Sequence, residues 1–185
     1  APAAFAQWSD TKNQFTDNLH MPVTQAAGQQ ERPVIIRSYP DSGYFVIWED
    51  DRNSATSRGD IYAQKFDKNG NRLWATDGIP IANGPNREHF TYAFHQASYR
   101  NYPVAATDSA GGFYITWIDD SLNQYTWQRI YVQNILSDGS RLIPGLGFQV
   151  AASIPGDNYD YNAPQLVVDG RGGFYVSYLK NVIAG

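Results

Sequence analysis

Carboxylates gather where two aromatic, β-branched runs end. Glu49-Asp50-Asp51-Arg52 closes the run 44–49, and Asp119-Asp120 closes the run 113–119. Carboxylates paired at a strand end have the chemistry for acid/base hydrolysis or for holding a cation. Their recurrence at corresponding positions favours a feature that holds each repeat together, since a catalytic centre occurs once. Asp50 or Asp51 is then expected to pair with Arg52 or Arg58.

A second group carries oxygen ligands. Asp67, Asn69 and Asn71, in Asp67-Lys68-Asn69-Gly70-Asn71, alternate as the side chains of a calcium loop do. No Glu follows at a ligand distance, and the related segment keeps only Asp138 before Gly139, so a plain hairpin is the stronger reading. A third group suits recognition. The segment 84–101 holds His89, Phe90, Tyr92, Phe94, His95, Tyr99 and Arg100, and Tyr125 and Trp127 lie in a later loop. Aromatics among adaptable polar residues suit stacking on a sugar or a protein partner. The bland alternative is that Phe90, Tyr92 and Phe94 form an extra strand packed on the sheet. His89 and His95 have no third ligand at zinc spacing. Neither a nucleophile elbow nor a Gly-rich phosphate loop is present, and the chain contains no Cys, so no cofactor is expected.

The elements that must position these residues are strands. Of 185 residues, 42% are hydrophobic and 17% charged, too apolar for a disordered chain. With 16 Gly, 10 Pro, 13 Tyr, 9 Phe and 5 Trp, the composition favours short strands and turns and predicts an all-β fold. A net charge of -4 gives no footprint for nucleic acid, and no apolar run is long enough for a transmembrane segment. The opening Ala1-Pro2-Ala3-Ala4-Phe5-Ala6-Gln7 reads as the start of a mature exported protein or as an arbitrary boundary.

The chain repeats. Trp48 recurs as Trp117, 69 residues on, and Ile61-Tyr62-Ala63-Gln64 recurs as Ile130-Tyr131-Val132-Gln133 at the same offset. Pro33-Val34 recurs as Pro103-Val104 at 70, and a third copy follows at 61, with Asn162-Ala163-Pro164 and Gly172-Gly173-Phe174-Tyr175. Each unit reads as four strands, A to D, at 33–37, 44–49, 61–67 and 72–74 with 79–81 in the first. Asn69-Gly70 and Asp138-Gly139 supply the φ > 0 residues of hairpin turns. Four antiparallel strands in repeats of about 61–70 residues predict β-propeller blades, with a stacked β-solenoid as the rival. The expected divisions are an N-terminal segment (1–30) carrying the outer strand of a neighbouring blade, a first blade (31–86), an aromatic insertion (87–101), a second blade (102–156) and the start of a truncated third (157–185). A propeller needs at least four blades. The chain is therefore expected to be part of a longer protein or to close with other chains.

Gly43 to Arg52, followed by Asp60-Ile61-Tyr62-Ala63-Gln64-Lys65-Phe66-Asp67-Lys68-Asn69-Gly70-Asn71-Arg72-Leu73-Trp74, resembles repeats of large secreted β-propeller proteins of Bacteroidota and related bacteria. The resemblance covers about 32–178 and is clearest in the first unit; Asn134-Ile135-Leu136 departs from it in the second. It implies an exported, secreted or cell-surface protein, non-catalytic, serving adhesion or protein or glycan binding. Many such proteins carry a sorting domain for type IX secretion, which implies export machinery as a partner. The alternative is a propeller glycoside hydrolase or lyase whose catalytic residues lie mostly outside this chain.

Overall fold

The computed structural model describes residues 5–7, 20–53, 55, 59–90, 104–120, 128–153 and 159–182. Among them there is no helix; the protein is all-β, built from antiparallel sheets. β1 (Phe5–Gln7) and β2 (His20–Pro22) pair with each other. β3 (Gln30–Arg37), β4 (Tyr44–Asp50), β5 (Asp60–Phe66) and β6 (Ile79–Ala82) form a four-stranded sheet in chain order. In the next sheet β7 (Arg87–His89) and β8 (Ala105–Thr107) share one flank of β9 (Phe113–Asp120), followed by β10 (Gln128–Ile135) and β11 (Phe148–Ala152). β12 (Tyr159–Val168) and β13 (Phe174–Val182) form the last pair.

The turns explain why strands A and B pair so closely. Asp108 Oδ1 accepts the amides of Ala110 and Gly112 at 2.9 Å each, and Asp169 Oδ1 accepts those of Arg171 and Gly173 at 2.7 and 2.8 Å. A side-chain oxygen that satisfies two turn amides fixes the hairpin before any tertiary contact forms. Strand D comes in two pieces: Arg72 makes a single bridge with Phe66, and the ladder resumes at β6. The cause is Gln64, whose side chain takes over the excursion, accepting from Trp74 N at 3.0 Å and donating to Ala75 O. Gln133 repeats this on Ile143, with bonds of 2.9 and 2.8 Å.

Strand A is bulged in the first and third units. The β3–β4 ladder slips between Glu31 and Val34, where Arg32 has φ 51°, and the β12–β13 ladder slips between Asn162 and Gln165, where Ala163 has φ 49°. Both residues precede a proline (Pro33 and Pro164), which has no N–H for a ladder and is tolerated at a bulge. In the second unit the same point is opened wide. His89 pairs with Ile118 as Glu31 pairs with Glu49, and Ala105 pairs with Ile115 as Ile35 pairs with Val46. Glu31 and His89 are 58 residues apart but Pro33 and Pro103 are 70 apart, so 12 residues enter strand A at its bulge. The segment read from sequence as a link between units thus contributes a short strand, β7, and interrupts strand A rather than preceding it.

The sheets pack face on face, each with the same orientation. Phe45 and Ile47 of β4 meet Phe113, Ile115 and Trp117 of β9 in the largest core, with the Phe45 and Phe113 rings 4.8 Å apart. Alternate residues Val46 and Trp48 point to the other face, where Val23 packs. Tyr114 and Val132 in turn meet Leu166 and Phe174 of the third unit. Burial on both faces is why these strands read as nearly continuous apolar runs. Lys65, 5% exposed, ties the first two units, its Nζ 2.8 Å from Asp41 and 3.5 Å from the Gly111 carbonyl.

Candidate functional site

The ends of β4 and β9, the starts of β3, β5 and β10, and all of β7 bring an acidic cluster together between the first two units. Its members are ladder neighbours: Asp50 lies opposite Asp60, Glu31 opposite Glu49, and Glu88 opposite Asp119. Like charges directly across a ladder repel, so each pair must be neutralised or protonated.

Most are neutralised. Asp50 accepts Trp48 Nε1 at 2.7 Å and chelates Arg52, whose Nε and NH2 lie 2.8 and 2.6 Å away. Arg52 also donates to Asp77 O and lies 3.9 Å over the Tyr62 ring. Both carboxylate oxygens of Asp50 have protein partners, so this network ties the strand end down. Glu49 accepts from Arg32 through Oε2 and from the Phe90 amide, at 2.7 Å, through Oε1. Asp119 accepts from Asn86 at 2.9 Å and Arg129 at 3.2 Å; burial still raises its pKa against the pull of Arg129.

Glu88 is the exception. It is 1% exposed; Oε1 accepts the Gly84 amide at 2.9 Å, and Oε2 has no hydrogen-bond partner. Burial, with the charges of Asp119 and Asp60 adding to it, pushes its pKa from 4.5 up to about 8. Asp60, equally buried, accepts from Asn53 Nδ2 at 2.9 Å through Oδ2 and leaves Oδ1 without a partner. Glu88 lines a cleft of about 110 Å³ together with Arg32, Glu49, Gly59 and Arg87. Pockets for drug-sized ligands enclose roughly 300–1,000 Å³, so this cleft suits a small polar group, not a sugar ring. Among the described residues no group of three or more His, Asp or Glu side chains has the arrangement to hold a metal ion.

The sequence places His89 and Phe90 on a binding surface; the structure corrects both. His89 is fully buried, with Nε2 3.1 Å from Asp120 Oδ2, and Phe90 is 3% exposed in the core between the two sheets. They are buried because β7 joins the sheet through them. They anchor the insertion and do not present surface. Tyr92, Phe94, His95, Tyr99, Tyr125 and Trp127 lie outside the described residues. The Asp67, Asn69 and Asn71 loop is a hairpin held by its own groups: Asp67 Oδ1 accepts the amides of Asn69 and Asn71 and Oδ2 the Asn71 side chain, all at 2.8 Å. The Asn71 side-chain bond is the main cause of the lowered Asp67 pKa. Glu88 escaped the sequence reading because β7 has no strand signature; only its alignment with Gln30, through the bulge, would have placed it opposite an aspartate.

Compared with known proteins, the chain matches no family model, no curated protein and no solved structure.

Proposed function

We propose that this chain is a run of consecutive blades of a β-propeller in an exported, cell-surface protein. Its role is non-catalytic binding of a protein or glycan partner through the 12 residues inserted in strand A, and a type IX route of export follows from the repeat resemblance alone. The strand order within each sheet and the repeated face-on-face packing support the blade reading. One observation carries the binding reading: the insertion is held at both ends by the rigid sheet. Its entry is fixed by the Phe90 amide on Glu49, and its exit by Val104 O, which accepts from Thr116 N at 2.8 Å. Between them stand Tyr92, Phe94, Tyr99 and Tyr102 with His95 and Arg100, a composition of rigid aromatic anchors and adaptable polar groups.

The test is to replace residues 91–102 with a short Gly/Ser linker and compare both proteins on an array of purified glycans and outer-surface proteins. Binding by the intact chain and its loss in the shortened one, with the melting temperature unchanged, is the expected outcome. Equal binding by both removes the insertion from the site.

A hydrolase or lyase reading draws on Glu88, a buried carboxyl whose pKa burial raises to about 8 and which lies directly opposite Asp119, two carboxyls together as acid catalysis on glycosides uses. Release of reducing ends from a bound glycan, abolished by Glu88→Gln, would replace the binding reading with this one.

A further inference from the structure

β7 is a severed piece of strand A. It pairs with β9 over three residues, and the inserted segment cuts it from β8, whereas β3 and β12 continue through their bulges for 8 and 10 residues. It can therefore leave the sheet without dragging the rest of strand A with it. Its other ties are few: Glu88 N donates to Gly59 O at 3.0 Å, and the Phe90 amide that follows donates to Glu49.

The middle residue of β7 differs in kind from its counterparts. In the first unit Gln30 stands opposite Asp50, with its Nε2 donating to Ala27 O at 3.0 Å, and in the third Tyr161 stands opposite Lys180. At this position only the second unit sets carboxyl against carboxyl, Glu88 against Asp119. The groups around Glu88 offer no counter-charge. Asp119 faces it from β9 and Asp60 adds its charge from β5. Arg129 of β10 is committed to Asp119, Arg52 to Asp50, and Arg32 of β3 to Glu49 of β4 and Glu31. On β7 itself Arg87 and His89 alternate to the other face, where His89 meets Asp120. Room for water is short as well: a Cβ on Gly84 would lie 2.6 Å from Glu88 Oε1 and 3.3 Å from both Leu146 methyls. Ionised, Glu88 would keep one hydrogen bond, from the Gly84 amide, against two facing carboxyls.

We propose that Glu88 is a proton-held clasp on the inserted segment: neutral, it keeps β7 on β9 and the segment's entry fixed; ionised, it lifts β7 from the ladder and frees that entry. The clasp regulates the binding segment proposed above and rests on that reading for its purpose. The sign of the pH effect follows from where the proton is held. With β7 in place Glu88 keeps its proton up to about pH 8, and with β7 lifted into water only up to its ordinary 4.5. The opening equilibrium is therefore flat below 4.5, rises roughly tenfold per pH unit up to 8, and is flat again above it. Acid closes the clasp and mild alkali opens it.

Hydrogen exchange of the full chain, with no ligand added, reads the clasp through the Glu88 and Phe90 amides between pH 5 and pH 8. After division by each amide's intrinsic rate, exchange there is expected to quicken roughly tenfold per pH unit in the wild type. In Glu88→Gln, which installs the neutral side chain that Gln30 supplies in the first unit, it should stay level. Exchange through β7 alone exposes little surface, so these amides should respond weakly to low urea while Ile115 and Val132 respond strongly. A level wild-type profile, a slope that Glu88→Gln keeps, or a urea response equal to that of Ile115 and Val132 overturns the clasp. The glycan and protein array separates this from the binding reading. A level profile in a chain whose binding is lost with the insertion removes the clasp alone, and a working clasp on a segment that binds nothing removes the binding reading alone.

Discussion

Glu88 sits in β7 directly opposite Asp119, with Oε2 unpartnered and its pKa near 8. A buried carboxyl in this state costs stability only when it ionises. Its folded pKa lies above the unfolded value of 4.5, so its favourable contribution is complete below pH 4.5 and is lost as pH rises through 8. At about 1.4 kcal/mol per unit, the whole swing is on the order of a few kcal/mol. The melting temperature of the wild type is therefore expected to fall between pH 5 and pH 9. Glu88→Gln keeps an acceptor for the Gly84 amide and cannot ionise, so its melting curve should be flatter across that window and overtake the wild type at the alkaline end. Parallel thermal melts by circular dichroism check this, and identical slopes for the two proteins would remove Glu88 as the cause.

At the scale of elements, the excursion between strands C and D hangs on one glutamine per unit. Gln133 holds both the N–H and the C=O of Ile143, groups that no ladder partner reaches. Gln133→Leu leaves two half-buried backbone groups without their partner, at a cost of about 1–3 kcal/mol. Urea denaturation should show the midpoint lowered with the slope unchanged, and Gln64→Leu should do the same in the first unit. These glutamines were visible in the sequence as repeated letters, but their work was not, because it depends on a side chain reaching across a turn. The strands themselves were legible for a local reason: Asp, Asn and Gly at the hairpins specify turns, and the apolar runs between them specify sheets buried on both faces. The interruption of strand A was illegible for the converse reason. Arg87–His89 is three residues long and polar, and it becomes a strand only because Asp120, Asp119 and Ile118 offer it a ladder. Burial of His89 and Phe90 follows from that tertiary pairing, so aromatic composition alone misplaced them on the surface. Phe5-Ala6-Gln7 matches the strand-C motif over three residues, too few to stand out without the register of β1 against β2.

At the scale of the whole molecule, packing is uneven along the stack. The core between the first two units takes in Phe45, Ile47, Ile61, Phe113, Ile115 and Trp117, and Lys65 bridges it. Between the second and third units the apolar cluster is smaller, Tyr114, Val132 and Leu166 with partly buried neighbours, joined by hydrogen bonds from Tyr161 N to Gln128 and from Tyr114 to the Gly172 carbonyl, and Tyr175 on the far face of β13 is exposed. Local opening takes its free energy from the contacts it breaks, so β12 and β13 should open without β4, β5, β9 or β10. Native-state hydrogen exchange on a dilute sample is expected to show amides of Tyr175, Val176 and Ser177 exchanging through a low-energy opening, while those of Ile47, Ala63, Ile115 and Val132 approach the global limit. A uniform free energy along the chain would mean that the third unit folds as one body with the first two.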